Sequence, residues 1–387
     1  PKNLPENKTT TIARYDSEDP TLDDLQEWLA RNRQAQELEI TLSKDLDLSR
    51  TGLNQANSID IYSKQVTIRG KDPNHRPTIK LRYDSRVLNG PWVALHIESE
   101  IATIQDVNFL VDGSLAESEL HALTFRGGKN LTLKRCEFIQ AQASRGDGKK
   151  LVSLVVEPSN TFRPNLQVEA CVFLGYGEVA PVSDSQNKNE PLSFKRPENA
   201  GNIAILRKGN STIQLKDCAF SPHHSMVWLE GRTGESSKVS LQNCSILMGR
   251  NSALGTFADA AEGLLELRHS VVSTIPPRDE IGEENNATLI RQTDSNSRIR
   301  FVGEDNRYFK IGSYLQTAST AANIREYTAF SKNLQQRKMG ADDSRILEFL
   351  PWKEADPWKL LEENKIAQAF AIKDNQRDLR RQDAIAS

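Results

Sequence analysis

The sequence lacks any long apolar run, and this absence excludes a membrane-spanning helix of the usual kind. No stretch approaches the roughly 18 consecutive apolar residues that such a helix needs. The sequence also lacks a charge excess, because 50 Lys and Arg residues face 52 Asp and Glu residues for a formal net charge of -2. We therefore expect neither nucleic acid nor a membrane surface to be a partner of this chain.

A signal peptide is missing as well, but the chain of 387 residues begins at Pro1 rather than at Met. We interpret it as a segment of a longer protein. The absence of a targeting sequence then carries no information about the compartment.

Cysteine is scarce, and its four copies occupy one place in a repeat. Cys136, Cys171, Cys218 and Cys244 are equivalent, and Ser270 stands in the next equivalent position. Two disulfides would fit the even count, but stacked residues lie about 4.8 Å apart with parallel side chains, which is a poor approach for a bridge. We expect a column of small buried thiols instead. Because no pair has CxxC-like spacing, we predict no metal site and no cofactor.

The repeat that contains these cysteines is the strongest pattern present. It reads LTLKRCEF at 131–138 and returns, with the same apolar-x-apolar core, at 166–173, 213–220, 239–246 and 265–272. Looser copies lie at 66–68, 102–109 and 299–301. An irregular repeat with a constant apolar core is typical of stacked units that share one hydrophobic interior.

Each repeat divides into three short strands. In the copy around Cys136, a first strand at 123–125 is followed by a short turn and a second strand at 131–134. A tight corner at Cys136 leads to a third strand through Phe138 and then to a return loop. The longest return, 175–201, is rich in Pro, Asn, Ser and Lys. Uneven insertions on one edge are where solenoids usually place recognition surfaces.

The two ends differ from the repeat. Thr21 precedes two acids, and Leu22, Leu25 and Leu29 follow at helical spacing, so we predict an N-terminal helix that closes one end of the stack. We divide the chain into a lead-in segment, a capping helix, a parallel β-helix and a partly helical C-terminal cap and tail, at 1–20, 21–38, 39–316 and 317–387.

Three strands per coil, a small residue at one corner and variable loops at another resemble the right-handed parallel β-helix of the pectin-lyase-like superfamily. The resemblance covers roughly residues 21–316 and implies an all-β solenoid. The layout also resembles modules appended to planctomycete-type bacterial Ser/Thr kinases, which implies a sensor region outside the cytoplasm. Because this fold carries lyases, hydrolases, adhesins and inert spacers, the resemblance does not select an activity.

Stacking turns sequence positions into columns. We align the outward side chains of the first strands as His96, Thr124, Val155, Ile205, Trp228 and Thr256. In the polysaccharide-degrading relatives this face is the substrate cleft, and catalysis there needs a charged acid–base set. The column offers none, so we predict no catalytic residue. Its apolar members either form an exposed binding patch, with Trp228 stacking on a sugar, or are covered by a return loop or the C-terminal tail.

A second column alternates in charge. We align Glu98, Arg126, Glu157, Arg207 and Glu230 along successive coils. Opposite charges on adjacent strands stabilise a sheet, so a structural ladder is the favoured interpretation over a catalytic carboxylate site.

These columns lead to a functional prediction. We expect a monomeric, non-catalytic recognition or scaffold module that binds a polysaccharide or protein ligand. The predicted ligand-binding residues are Trp228, His96, Ile205, Val155 and Glu230. The alternative is a diverged polysaccharide lyase or glycoside hydrolase. Charged acids and a base near His96 and Trp228 would favour that alternative.

Overall fold

A computed structural model describes most of the chain. The described residues are 12–48, 50–51, 58–84, 91–114, 116, 118–142, 150–159, 162–175, 202–274, 285–318, 323–363 and 365–373. They form an all-β parallel solenoid in which each strand pairs with the equivalent strands of neighbouring coils. No helix within these ranges is long and apolar enough to cross a membrane.

Three columns of strands make up the solenoid. The first-strand column contains the N-terminal parts of the long strands Ile59–Gly70 and Trp92–Gln105, then Leu120–Arg126, Leu151–Glu157, Asn202–Lys208, Ser225–Glu230, Ala253–Ala258, Thr288–Gln292 and Ser313–Gln316. The second-strand column contains Ile12–Asp16, Glu37–Leu42, the C-terminal parts of the two long strands, Asn130–Lys134, Asn165–Glu169, Thr212–Lys216, Ser236–Gln242, Glu262–Arg268, Arg298–Glu304 and Gly340–Asp342. The third-strand column contains Leu46–Asp47, Thr78–Asp84, Asn108–Asp112, Glu137–Gln142, Val172–Leu174, Ala219–Phe220, Ser245–Met248, Val271–Thr274, Arg307–Phe309 and Arg345–Ile346, with Arg50–Thr51 also paired to Thr78–Asp84.

The solenoid extends beyond the predicted limits of 39 and 316. At one end, Ile12–Asp16 pairs with Glu37–Leu42, so part of the predicted lead-in is a strand. At the other end, Gly340–Asp342 and Arg345–Ile346 add to the second and third columns. These terminal strands are short and polar, so alternation did not mark them. Gly340 has φ of 141°, and a Cβ there would lie 1.8 Å from the Phe301 carbonyl oxygen.

The interior is filled by columns of like side chains. Four phenylalanine rings of the third-strand column stack nearly parallel, with centroids 4.8 to 5.0 Å apart: Phe109, Phe138, Phe173 and Phe220. In the second-strand column, alternate residues such as Leu131 and Leu133 are fully buried. The parallel pleat sends every second side chain inward, and this is the period-2 pattern of the repeat.

The cysteines form the predicted interior column. All four thiols are buried and free. The Cys136 amide donates to the Cys171 Sγ at 3.4 Å, and the Cys244 amide donates to the Ser270 Oγ at 3.0 Å. The Ser270 amide in turn donates to Asn306 Oδ1 at 3.0 Å. A small side chain at this corner therefore accepts a backbone hydrogen bond from the preceding coil, which satisfies an otherwise buried amide.

The corner itself depends on a left-handed residue immediately before this column. Seven non-glycine residues have φ between 48° and 56° there: Asp106, Arg135, Ala170, Asp217, Asn243, His269 and Asp305. Their amides donate to the next coil, as from Arg135 to the Glu169 carbonyl at 3.0 Å. A left-handed backbone costs a non-glycine residue about 1 kcal/mol, so the stacking bonds must offset that cost in every coil.

Helices close both ends. Helix α1, Leu22–Arg31, begins after Thr21, whose Oγ1 accepts the Asp24 amide at 3.2 Å. Leu22, Leu25 and Leu29 join the main core, so a helix lies where the capping helix is predicted, although it ends before residue 38. At the other end, Phe330 and Leu334 of helix α2, Tyr327–Gln336, are buried in the same core.

The C-terminal segment packs on the side of the solenoid. It contains two short helices, α3 at Pro357–Glu362 and α4 at Ile366–Ala369. Trp352 and Phe370 are buried against Leu247 and Val271, on the outer side of the third-strand column. The Trp352 Nε1 donates to Ser273 Oγ at 2.7 Å. The described part of the C-terminal segment therefore caps the stack and covers part of its third face.

The left-handed corner generates a test at Ala170. Ala170→Gly removes the steric cost of φ 52°, but it also raises the conformational entropy of the unfolded chain. Because these two effects oppose each other, the free energy of unfolding should rise by no more than about 1 kcal/mol. Ala170→Val should destabilise by more than about 1 kcal/mol, because a β-branched residue tolerates this conformation worst. Denaturant melts of the three proteins measure the order Gly, Ala, Val; any other order contradicts the assigned corner.

Candidate functional site

The outward column of the first strands is the predicted binding face, and the structure changes one of its members. Val155 lies beside Leu206, which in turn lies beside Trp228. Ile205 instead pairs with Leu154 and Val227 and is buried in the main core. The alignment of Ile205 was therefore wrong by one residue. The strands Leu151–Glu157 and Asn202–Lys208 each begin with six buried residues, so alternation could not mark their faces.

The same shift changes the charge ladder. Lys208, not Arg207, follows Glu157, with its Nζ 2.8 Å from the Glu157 carboxylate. Arg126 lies 3.8 Å from Glu98 and 3.7 Å from Glu157, and Lys208 lies beside Glu230 in the next coil. The sign therefore alternates along the five coils, as expected, with a different cation in the fourth place.

Arg207 points into the solenoid and is fully buried. Its Nε donates to the Ser211 Oγ at 3.0 Å, and its Nη1 donates to the Glu230 carbonyl at 3.1 Å. Its Nη2 has no partner among the described residues. Burial lowers the pKa of Arg207 to about 10, so the guanidinium still carries its charge at neutral pH.

The apolar members of the face are covered rather than exposed. Val152, Val155, Ile203 and Leu206 form a small cluster, and none of their side chains is more than 2% exposed. Trp228 packs against this cluster and is partly buried, with its Nε1 enclosed and unpartnered in the described structure. The patch is therefore buried, and whether a return loop or the C-terminal tail covers it stays a prediction. Only Trp228 keeps part of its ring accessible.

Lys150 is the residue that contacts this ring, and the sequence analysis missed it. Its Nζ lies 4.4 Å from the centroid of Trp228 and 3.9 Å from a carboxylate oxygen of Glu230. The Lys150 and Glu230 side chains are only 26% and 23% exposed. Burial raises the pKa of Glu230 above its ordinary value. Lys150 directly precedes the strand Leu151–Glu157, outside every column that the repeat defines.

Glu119 and His121 complete the acidic side of this region. His121 lies within the strand Leu120–Arg126 with its side chain 3% exposed. Its Nε2 is 2.7 Å from Glu119 Oε1, and its Nδ1 is 3.3 Å from the Thr124 Oγ1. Burial is the largest influence and raises the pKa of Glu119, but the His121 hydrogen bond and the positive charges of His121, Lys150 and Lys208 together outweigh it, so the pKa is lowered. His121 stands between the apolar residues Leu120 and Ala122, and this polar position within an apolar stretch was visible in the sequence.

Two histidines lie beyond Trp228, His223 fully buried and His224 partly buried. The His224 ring centroid is 6.1 Å from that of Trp228, and its Nε2 is 3.1 Å from Arg291 Nη1. Burial lowers the pKa of both His223 and His224 to about 4. His224 is therefore neutral at pH 7, and its bare Nε2 accepts the hydrogen bond from Arg291. Within the described ranges, no group of three His, Cys, Asp or Glu side chains is placed to hold a metal ion.

His96 lies at the opposite end of the face. Its ring nitrogens are 3.5 Å from Asp60 and 3.5 Å from Glu98. Four coils separate His96 from Trp228, roughly 19 Å at the usual strand spacing. The two residues therefore share a face and not a pocket. An open polar groove of about 710 Å³, lined by Glu98, Arg126 and neighbouring turn residues, adjoins the His96 end.

We call this surface the first-strand face. It comprises the outward side chains of His96, Glu98, Glu119, His121, Arg126, Lys150, Glu157, Lys208, Trp228 and Glu230. Each of its four carboxylates has a basic partner on the same face. Such an arrangement can exchange ion pairs and hydrogen bonds with a polar ligand. Except for Gly175, the return loop at 175–201 lies outside the described residues.

The scan against protein-family models, the search of curated proteins and the search of solved structures each returned no match.

The corrected ladder generates a test at Lys208. Lys208→Glu places a carboxylate between those of Glu157 and Glu230, so that three lie side by side. It should lower the free energy of unfolding by about 1 kcal/mol at low salt. Added salt at 1 M should remove most of the loss. Denaturant melts at two salt concentrations measure both effects, and Lys208→Met, which removes attraction without adding repulsion, is the control.

For the buried Arg207 we expect a large loss of stability that does not depend on salt. Arg207→Glu should destabilise the chain by several kcal/mol regardless of salt, because it buries an unpaired carboxylate. A mild, salt-sensitive effect at Arg207 would show that the register of Asn202–Lys208 is incorrectly assigned.

Proposed function

We propose that the chain is a non-catalytic recognition module, built on a right-handed parallel β-helix of the pectin-lyase-like type, that binds a polysaccharide along its first-strand face. The observation that carries this proposal is the charge ladder that runs in register from Glu98 to Glu230 beside the partly accessible ring of Trp228. Such a ladder presents a charged group in every coil. A polymer with a repeating unit is the ligand class that such a face fits best.

The side chains on this face suit sugars. The accessible part of the Trp228 ring offers a flat apolar surface of the kind on which sugar rings stack. Glu157 and Lys208, and the part-exposed carboxylate of Glu119, offer acceptors and donors for hydroxyl groups. Aromatic contact flanked by polar groups is typical of small-ligand sites in general.

The pairing of carboxylates supports binding over catalysis. Glu119 is held by His121 and Glu157 by Lys208, each at hydrogen-bonding distance. Glycosidic cleavage and proton abstraction both need an acid or base that is free to transfer a proton. Groups held in ion pairs are poorly suited to that task.

Two observations favour the alternative, a diverged polysaccharide lyase or glycoside hydrolase. Acids and bases lie near both His96 and Trp228, which is the arrangement expected for that alternative. Burial raises the pKa of Glu230, which is a property of general acids. Glu157 and Glu230 lie two coils apart on one ladder, roughly 10 Å at the usual strand spacing, near the separation of two carboxylates in inverting enzymes. Lys208 stands between them, so this arrangement would need the Lys208–Glu157 pair to open.

The resemblance to kinase-appended modules is what suggests a parent protein. Modules of this layout are appended to bacterial Ser/Thr kinases, and a polysaccharide-binding solenoid would act there as the sensor region outside the cytoplasm. The module would bind its ligand as a monomer.

Trp228 is the residue to test. Trp228→Ala should weaken binding of a glycan identified by array screening about tenfold, because it removes the stacking surface. Phe349→Ala is the matched control, since Phe349 is 48% exposed near the C-terminal end and away from this face. Isothermal titration gives the affinities, and thermal melts establish that both variants remain folded. Unchanged binding after Trp228→Ala would contradict the proposal.

A turnover assay separates the two candidate functions. We expect no release of reducing or unsaturated sugars from pectate, alginate or the bound glycan, with or without calcium. Release that is abolished by both Glu230→Gln and Glu157→Gln would establish the hydrolase instead.

A further inference from the structure

The ammonium group of Lys150 already lies over the partly accessible ring of Trp228. An ammonium group stands 4.4 Å from the centre of the indole ring, with the Glu230 carboxylate 3.9 Å away. An aromatic face combined with a carboxylate is the arrangement that recognises alkylammonium groups, and tryptophan is the strongest aromatic partner. Here the cation comes from the chain itself.

We propose that Trp228 and Glu230 form a binding site for the free amino group of an amino-sugar polymer, and that Lys150 occupies this site until the ligand displaces it. This inference rests on the proposed polysaccharide-binding function and names its ligand class. It assigns Lys150 the role of an internal competitor.

The geometry makes Lys150 replaceable. Its 3.9 Å separation from Glu230 is longer than a hydrogen bond, so the pair is held by charge without a directional bond. Lys208, the other lysine beside Glu230, is hydrogen-bonded to Glu157 at 2.8 Å. It is therefore not poised to move onto Trp228 when Lys150 leaves.

Charge balance then selects the ligand. A neutral sugar that stacks on Trp228 must move Lys150 away and leave the partly buried Glu230 without its nearest cation. Loss of a partner from a partly buried charge is costly. A sugar that carries its own ammonium group replaces Lys150 charge for charge and keeps the cation–π contact. A polymer of amino sugars is the glycan that satisfies both the ring and the carboxylate.

Because Lys150 is attached to the chain beside the site, its competition should weaken the affinity of the chain for a ligand. A side chain fixed next to its site competes at an effective concentration in the millimolar range or above. The wild-type chain should therefore bind amino-sugar oligomers more weakly than a variant without the Lys150 ammonium group. Increased affinity on removal of a basic residue is the distinctive expectation, because loss of an ordinary contact residue would lower affinity.

The experiment uses two matched ligands, the hexamer of glucosamine and the hexamer of N-acetylglucosamine, which differ only in whether the amine is free. Isothermal titration is performed on the full chain and on Lys150→Met, Glu230→Gln and Trp228→Ala. Lys238→Met is the control, because Lys238 pairs with Glu266 on the second-strand column. Methionine keeps most of the lysine stem, and thermal melts establish that each variant is folded.

We expect the wild-type chain to bind the free-amine hexamer at least tenfold more tightly than the acetylated one. Lys150→Met should raise the affinity for both hexamers about tenfold, because neither then has to displace the ammonium group, and the free-amine hexamer should remain the tighter ligand. Glu230→Gln should lower the affinity for the free-amine hexamer about tenfold, and Lys238→Met should change neither.

Two results would overturn the inference. Equal binding of both hexamers, weakened by Trp228→Ala, would reject the ammonium site and leave polysaccharide recognition standing. Weaker binding of the free-amine hexamer after Lys150→Met would show that Lys150 contacts the ligand and does not compete with it. Absence of binding to these hexamers and to every arrayed glycan would reject the proposed function itself.

Discussion

Parallel pairing of each coil with the next, in strict register, is the constraint on which the rest of this structure depends. It is enforced at one corner, where a left-handed residue such as Arg135 or Ala170 directs its amide to the carbonyl of the following coil. The next residue, from Cys136 to Ser270, accepts or shields the backbone groups that the turn would otherwise bury without partners. Because the corner recurs at the same point of each coil, every other position is also stacked on its equivalent.

Stacking in register has opposite consequences inside and outside. Inside, like side chains gain by meeting, and the phenylalanine rings from Phe109 to Phe220 stack in parallel. Outside, like charges would repel at strand spacing, so the sign alternates from Glu98 to Glu230. The same rule that stabilises the solenoid therefore produces a face on which carboxylates are matched by cations.

A face of matched charges affects how a ligand can bind. A group that enters must replace a partner, and the cost of entry is least when it brings the same charge as the group that it displaces. Lys150 is the cation with the loosest pairing at this position, because it is held by Trp228 and Glu230 without a short hydrogen bond. Under the proposed function, recognition and stability would therefore depend on the same ion pairs.

The amino-acid sequence by itself determined the coil, the corner, the thiol column and the N-terminal capping helix. Each of these depends on local periodicity and a recurring small residue. It did not determine the register of Asn202–Lys208, because a strand buried on both sides carries no alternation. Ile205 and Arg207 were therefore assigned to the outer face, where Leu206 and Lys208 lie. Lys150 and Glu119 precede their strands and have no column, so only the tertiary structure could bring Lys150 onto Trp228 and Glu119 onto His121.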